Sequence, residues 1–165
     1  MRSSLKFFSA TVLVTALGVA APVWSAGNHA DGHSHGAGAQ AIGQPGQASQ
    51  VTRTFEVSMS DSMRFSPANM TVKAGETIKF VLNNTGKIKH EFVLGTDKEL
   101  KEHYQQMLKF PQMEHDEPNS VTVAPGKTGA VIWTFTQAGT VAFACLLPGH
   151  YDAGMKGSVT VSTVR

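Results

Sequence analysis

The stretch CLLPGHYDAGM, Cys145 to Met155, holds the only cysteine of the 165-residue chain. Four residues separate Cys145 from His150, and four more separate His150 from Met155. A thiolate, an imidazole and a thioether are thus carried on one short loop. Soft sulfur favours Cu(I), imidazole suits both oxidation states, and a weak axial thioether helps to set a reduction potential. A trigonal plane needs a second imidazole. The candidates outside the N-terminal region are His90, His103 and His115, and His90 is the best placed, because it opens the strand-like HEFVL after the loop NNTGKIK. His103 lies in a helix-forming segment and His115 in a loop.

Taken singly, each residue has a plainer reading: a cysteine at a strand end is a small buried hydrophobe, a loop histidine is solvated, a methionine packs a core. Their combination on one loop favours copper. Zinc is the second metal to consider, but structural zinc sites use more thiolates or imidazoles and no thioether. A cysteine nucleophile with His90 or His150 as base would need an orienting partner and an oxyanion hole, which the sequence does not offer. No catalytic residue is assigned, and the chain is not read as an enzyme.

These residues need a rigid frame. RTFEVSMS, NMTVKAG, ETIKFVLNN, HEFVLG, SVTVAPG, TGAVIWTF, GTVAFAC and KGSVTVSTV alternate with Gly-, Pro- and Asn-containing turns. About eight such strands predict an all-β Greek-key sandwich or barrel. Ile78, Phe80 and Leu82 fall on one face, as do Val131, Trp133 and Phe135, and are the expected inner faces. One segment breaks the pattern: TDKELKEHYQQMLKF predicts a helix over 98–109, capped at Thr96 or Asp97 and followed by Pro111. Leu100, Tyr104, Met107 and Leu108 recur at helical spacing, so this helix should pack against the sandwich edge.

Ahead of this domain, Arg2 and Lys6 precede an uncharged apolar run from Phe7 to Val23. That layout is a signal peptide, residues 1–26, cut after Ser25 or Ala26. The run is too short and too diluted for a span of roughly 20 apolar residues, so no membrane span is expected in the mature protein. Residues 27–50, rich in Gly, Ala, Gln and His, read as a flexible tether, and 51–165 as the folded domain. Losing Arg2 and Lys6 leaves twelve basic residues against twelve acidic ones. Such a balance lacks the basic surface that nucleic acid requires. The expectation is a periplasmic monomer.

His90 together with Cys-x4-His-x4-Met on the last loop, in a chain of about eight strands, resembles the cupredoxins, the type 1 copper proteins. The loop spacing is similar to that of auracyanins and longer from Cys to His than in plastocyanin. MRFSP, GETIKFVLNNTG, HEFVLG and MEHDEPNSV resemble the periplasmic copper-tolerance cupredoxins of the CopI type. The resemblance implies one type 1 copper centre held by His90, Cys145, His150 and Met155, green in some members and blue in others. Glu91 stands where plastocyanin and azurin carry an Asn that braces the cysteine loop, and Leu146 and Leu147 stand where plastocyanin has a hydroxyl residue near the cysteine.

Further residues could collect copper more weakly. Cleavage after Ala26 would begin the mature chain Gly27-Asn28-His29, whose amine, amides and imidazole can wrap Cu(II) in a square plane. His33 and His35 lie nearby. In the inserted segment His103 and Met107 are one helical turn apart, and Met113 and His115 follow; core packing for Met107 is the alternative. Two functions share the core site: copper tolerance and homeostasis, or one-electron transport to a transient redox partner docked on Leu146, Leu147 and Pro148. A multicopper oxidase would need more histidines than the chain has.

Overall fold

The computed structural model describes residues 41–113 and 117–163, all within one compact unit. The expected signal peptide, His29, His33, His35 and His115 lie outside the described residues. The strands are β1 Gln44–Pro45, β2 Arg53–Ser60, β3 Arg64–Ser66, β4 Asn69–Lys73, β5 Thr77–Asn84, β6 His90–Gly95, β7 Ser120–Val123, β8 Thr128–Thr134, β9 Gly139–Ala144 and β10 Lys156–Ser162. Helix α1, Asp97–Lys109, interrupts them after β6. The eight expected strands are all present. The two additions, β1 and β3, are two and three residues long, too short for an alternating pattern to register.

The strands form two five-stranded sheets, ordered β1-β8-β5-β2-β3 and β4-β10-β9-β6-β7. Neighbours are antiparallel except β2 with β5 and β4 with β10. As expected, Ile78, Phe80 and Leu82 from β5 and Val131 and Trp133 from β8, with Phe135 beyond it, are buried in the core between the sheets. Phe65, Phe80, Phe92 and Phe143 meet there, with Phe92 and Phe143 ring centroids 4.9 Å apart. Aromatic pairs at this separation add about 0.5–1.5 kcal/mol beyond area burial.

Strand β6 is buried along its whole length because both its faces are covered. Phe92 and Leu94 enter the central core, while Val93 joins a second apolar cluster with Leu100, Tyr104 and Met107 of α1 and with Ala144, Leu146 and Tyr151. The helix therefore lies over the outer face of β6 and β9, which are interior strands, and not against the sandwich edge. Its start is fixed by a full capping box: Thr96 accepts the Glu99 amide proton and Glu99 accepts that of Thr96, an arrangement that satisfies two orphan donors. Leu108, expected on the packed face, is instead exposed.

The boundary at residue 51 also moves. Ile42 is buried in the core, its carbonyl accepts the Trp133 Nε1 proton at 2.7 Å, and β1 pairs with β8. Residues 42–50 thus belong to the folded domain, although their Gly- and Gln-rich composition resembles a tether. Ile42→Ala should lower the unfolding free energy by about 2 kcal/mol, the low end for a buried Ile→Ala change, as measured by urea denaturation. An unchanged midpoint would return this segment to the tether.

Candidate metal centre

Strand pairing brings the expected residues together. His90 begins β6, Cys145 directly follows β9, and the two strands are antiparallel with Val93 opposite Ala144. The start of one therefore meets the end of the other. Met155 closes the loop just before β10, and its carbonyl accepts the Cys145 amide proton at 3.0 Å. Between them the chain turns through Gly149 and Gly154, whose φ angles of 85° and 94° suit residues without a Cβ. The Met155 amide in turn donates to the His150 carbonyl at 3.1 Å, closing the loop on itself.

One donor atom from each of His90, Cys145 and His150 lies within 4.8 Å of the others. Cys145 Sγ is 3.3 Å from His150 Nδ1, and the two imidazole centroids are 5.1 Å apart. Met155 shares the buried cluster that contains Cys145. His90, Cys145 and Met155 are fully buried, while His150 is partly exposed.

The donor set fits a soft metal ion. His90 gives Nε2 to Asp61, whose Oδ1 is 3.2 Å away, while its Nδ1 is buried with no hydrogen-bond partner. Such an orphan costs about 1–3 kcal/mol unless something occupies it. Burial pushes the Cys145 thiol up to about 12, so the sulfur keeps its proton until a cation displaces it. Burial, and then the neighbouring His90, push the His150 imidazole below its ordinary value. It is therefore neutral near pH 7, the form that ligates metals.

Four side chains that the sequence did not single out as supports hold these donors in place. The Glu91 amide donates to Cys145 Sγ at 3.3 Å, and its carboxylate accepts the Leu146 amide proton at 3.3 Å. Glu91 thus braces the cysteine loop from the position of the plastocyanin Asn, and burial, its largest influence, raises its carboxyl above the usual range. Tyr104 of α1 donates to Asp152 Oδ2 at 2.7 Å and accepts the Gly149 amide proton at 3.3 Å, while its ring stacks on Tyr151 at 4.8 Å. Arg64 Nη1 donates to the Ala153 carbonyl at 2.7 Å. Asp61 supports His90 from the β2–β3 turn. None of these contacts leaves a periodic trace; only Glu91 was visible, as a departure from a family pattern.

Three of the accessory residues lie among the described ones, each in a different setting. Met107 is buried in the second apolar cluster, which is the packing role allowed for it, His103 is half-buried on α1, and Met113 is exposed. The expected docking patch is also smaller than anticipated. Leu146 and Leu147 are buried, leaving Pro148, Gly149 and part of His150 on the surface. Alternation explains the difference: Leu146 continues the outward face of β9 but lies under α1.

Residues 37–162 match the family model described as copper binding proteins, plastocyanin/azurin family. The copper-resistant cuproprotein CopI of Rubrivivax gelatinosus is 52% identical over 81% of this chain and 80% of its own. The protein of the same name from Pseudomonas aeruginosa is 43% identical over 74% and 83%. Among solved structures, reduced auracyanin from Roseiflexus castenholzii superposes with a TM-score of 0.58 at 24% identity, covering 68% of this chain and 98% of that one.

The helix-to-loop clasp carries its own test. Tyr104→Phe keeps the ring stack but removes both hydrogen bonds, so stability should fall by about 1–2 kcal/mol and the Gly149 amide should exchange faster with solvent. Unchanged exchange at Gly149 would show that α1 does not brace the loop.

Proposed function

Since the chain belongs to the plastocyanin/azurin family of copper-binding proteins, we propose that His90, Cys145 and His150 hold a single type 1 copper ion with Met155 as the weak axial ligand, and that the protein serves copper tolerance in the periplasm. The observation that carries this reading is the buried, unpartnered Nδ1 of His90 in a cluster whose donor atoms lie within 4.8 Å of one another.

Bound copper would supply a one-electron Cu(II)/Cu(I) couple. The chain supplies the rigidity: Cys145 and Met155 are joined through the backbone, Glu91 pins the sulfur and the Leu146 amide, and Tyr104 and Arg64 hold the loop from two sides. Buried Phe92, Phe143 and Leu147 keep water from the inner side of the donors. His150, the partly exposed ligand, is the edge through which electrons would pass. We assign no enzymatic activity.

The likeness to the two copper-resistant cuproproteins favours tolerance, and His29, His33 and His35 add imidazoles that could collect copper near the N-terminus. Exposure of His150 favours the second reading, a one-electron carrier serving a transient redox partner. Among the described residues no helix is long and apolar enough to cross a membrane. Deleting the gene and following growth across copper concentrations separates the two readings: a defect confined to high copper supports tolerance, whereas a respiratory defect at trace copper supports the carrier.

At the centre itself, Cys145→Ser should abolish intense visible absorption, since thiolate-to-Cu(II) charge transfer would be its source. Met155→Leu should retain copper at a higher potential, as losing the axial donor to an apolar side chain leaves the more highly charged Cu(II) less well supported than Cu(I). A full visible band in Cys145→Ser would refute the site.

A further inference from the structure

We propose that Asp61 is the positioning residue of this centre: its carboxylate fixes the His90 ring through Nε2 and biases the bound copper toward Cu(II). The inference rests on the copper reading above and goes beyond it, since Asp61 would touch no metal.

Asp61 sits in the turn between β2 and β3, remote in sequence from every ligand. Its two oxygens have separate tasks: Oδ1 lies 3.2 Å from His90 Nε2, and Oδ2 accepts the Lys87 amide proton at 2.8 Å. The carboxylate therefore spans the β2–β3 turn and the loop that delivers His90. That loop is held independently. Asn84 donates to the carbonyls of Ile88 and Val123 at 2.8 and 2.9 Å, and Thr85 bonds the Met59 carbonyl through both its amide and its hydroxyl. Asp61 is thus not needed merely to shape the loop, and its bond to the ring is the part without a substitute.

A second observation points the same way. A Cβ placed on Gly86 would overlap the Asp61 carboxylate, with Oδ1 and Cγ the nearest atoms. The loop runs directly over the carboxylate, and only a residue without a side chain fits there. The space that Gly86 leaves open is the space the carboxylate needs to reach the ring.

The chemical consequence follows from which nitrogen carries the proton. With Nε2–H donated to Asp61, Nδ1 must present a lone pair, so the ring is already in its ligating tautomer before metal arrives. A carboxylate on the far side makes the imidazole a stronger donor, and its negative charge favours the more highly charged copper ion. The neutral amide of Asn can still accept from Nε2 but supplies no charge.

The test uses the full chain, with and without copper. Midpoint potentials of the copper-loaded parent, Asp61→Asn and Gly86→Ala are read by following the visible band during redox titration. Imidazole nitrogen shifts of His90 in the copper-free parent and in Asp61→Ala are read by NMR. Asp61→Asn should keep the band yet favour Cu(I) over Cu(II) about tenfold more than the parent, or about 59 mV for one electron. Gly86→Ala should shift in the same direction by displacing the carboxylate, and it keeps the test open if Asp61→Asn folds poorly. Copper-free parent should carry the His90 proton on Nε2, with the Nδ1–H tautomer gaining in Asp61→Ala. Unchanged potentials in both variants, with an unchanged tautomer, would reduce Asp61 to a loop staple and overturn the inference while leaving the copper centre intact. A parent without a thiolate band would overturn both.

Discussion

The antiparallel pairing of β6 with β9 is the constraint on which the metal centre depends. With Val93 opposite Ala144, the first residue of one strand and the residue after the other reach the same end of the sandwich. The Glu91 amide then finds Cys145 Sγ at 3.3 Å across fifty-four positions of sequence. A slip of one residue would turn His90 or Cys145 to the opposite face. The register is set by Phe92, Leu94 and Phe143 in the core and by Val93 and Ala144 beneath the helix. Packing of apolar residues therefore places the polar donors.

Burial has a second consequence at this end of the molecule. It leaves Cys145 a thiol, His150 a neutral imidazole and His90 Nδ1 without a partner. Of the three, only the His90 nitrogen lacks a hydrogen-bond partner, and all three present donors that a soft cation could take. Around them the supporting bonds come from four separate places: the β2–β3 turn, β3, β6 and α1. The inserted helix is accordingly part of the centre's scaffold, since Tyr104 and Met107 cover β6 and β9 while the Tyr104 hydroxyl reaches the ligand loop. Holding donors rigidly in this way suits an ion that changes charge without changing its surroundings.

Much of this was legible in the sequence because it is carried by periodicity and by residue chemistry. The eight longer strands, the inner faces of β5 and β8, the helix to within one residue and the grouping of His90, Cys145 and His150 all follow from alternation, turn residues and donor types. What escaped was of another kind. Strands β1 and β3 are too short for a pattern, and Ile42 is one apolar residue in a Gly- and Gln-rich stretch, so its burial depends on Trp133, ninety-one positions away. The placement of α1 over a sheet face, which hides Leu146, depends on how the insertion folds back. Asp61, Arg64 and Tyr104 act through hydrogen bonds between distant segments, and such bonds leave no local signature.

The claim on which the rest stands is that one copper ion is held by the Cys145 sulfur and two imidazoles. X-ray absorption at the copper edge of the loaded full chain tests it most directly, because sulfur and nitrogen neighbours scatter differently. The account predicts a single short copper–sulfur shell together with two imidazole shells and one equivalent of copper. A spectrum fitted by nitrogen and oxygen alone would contradict it.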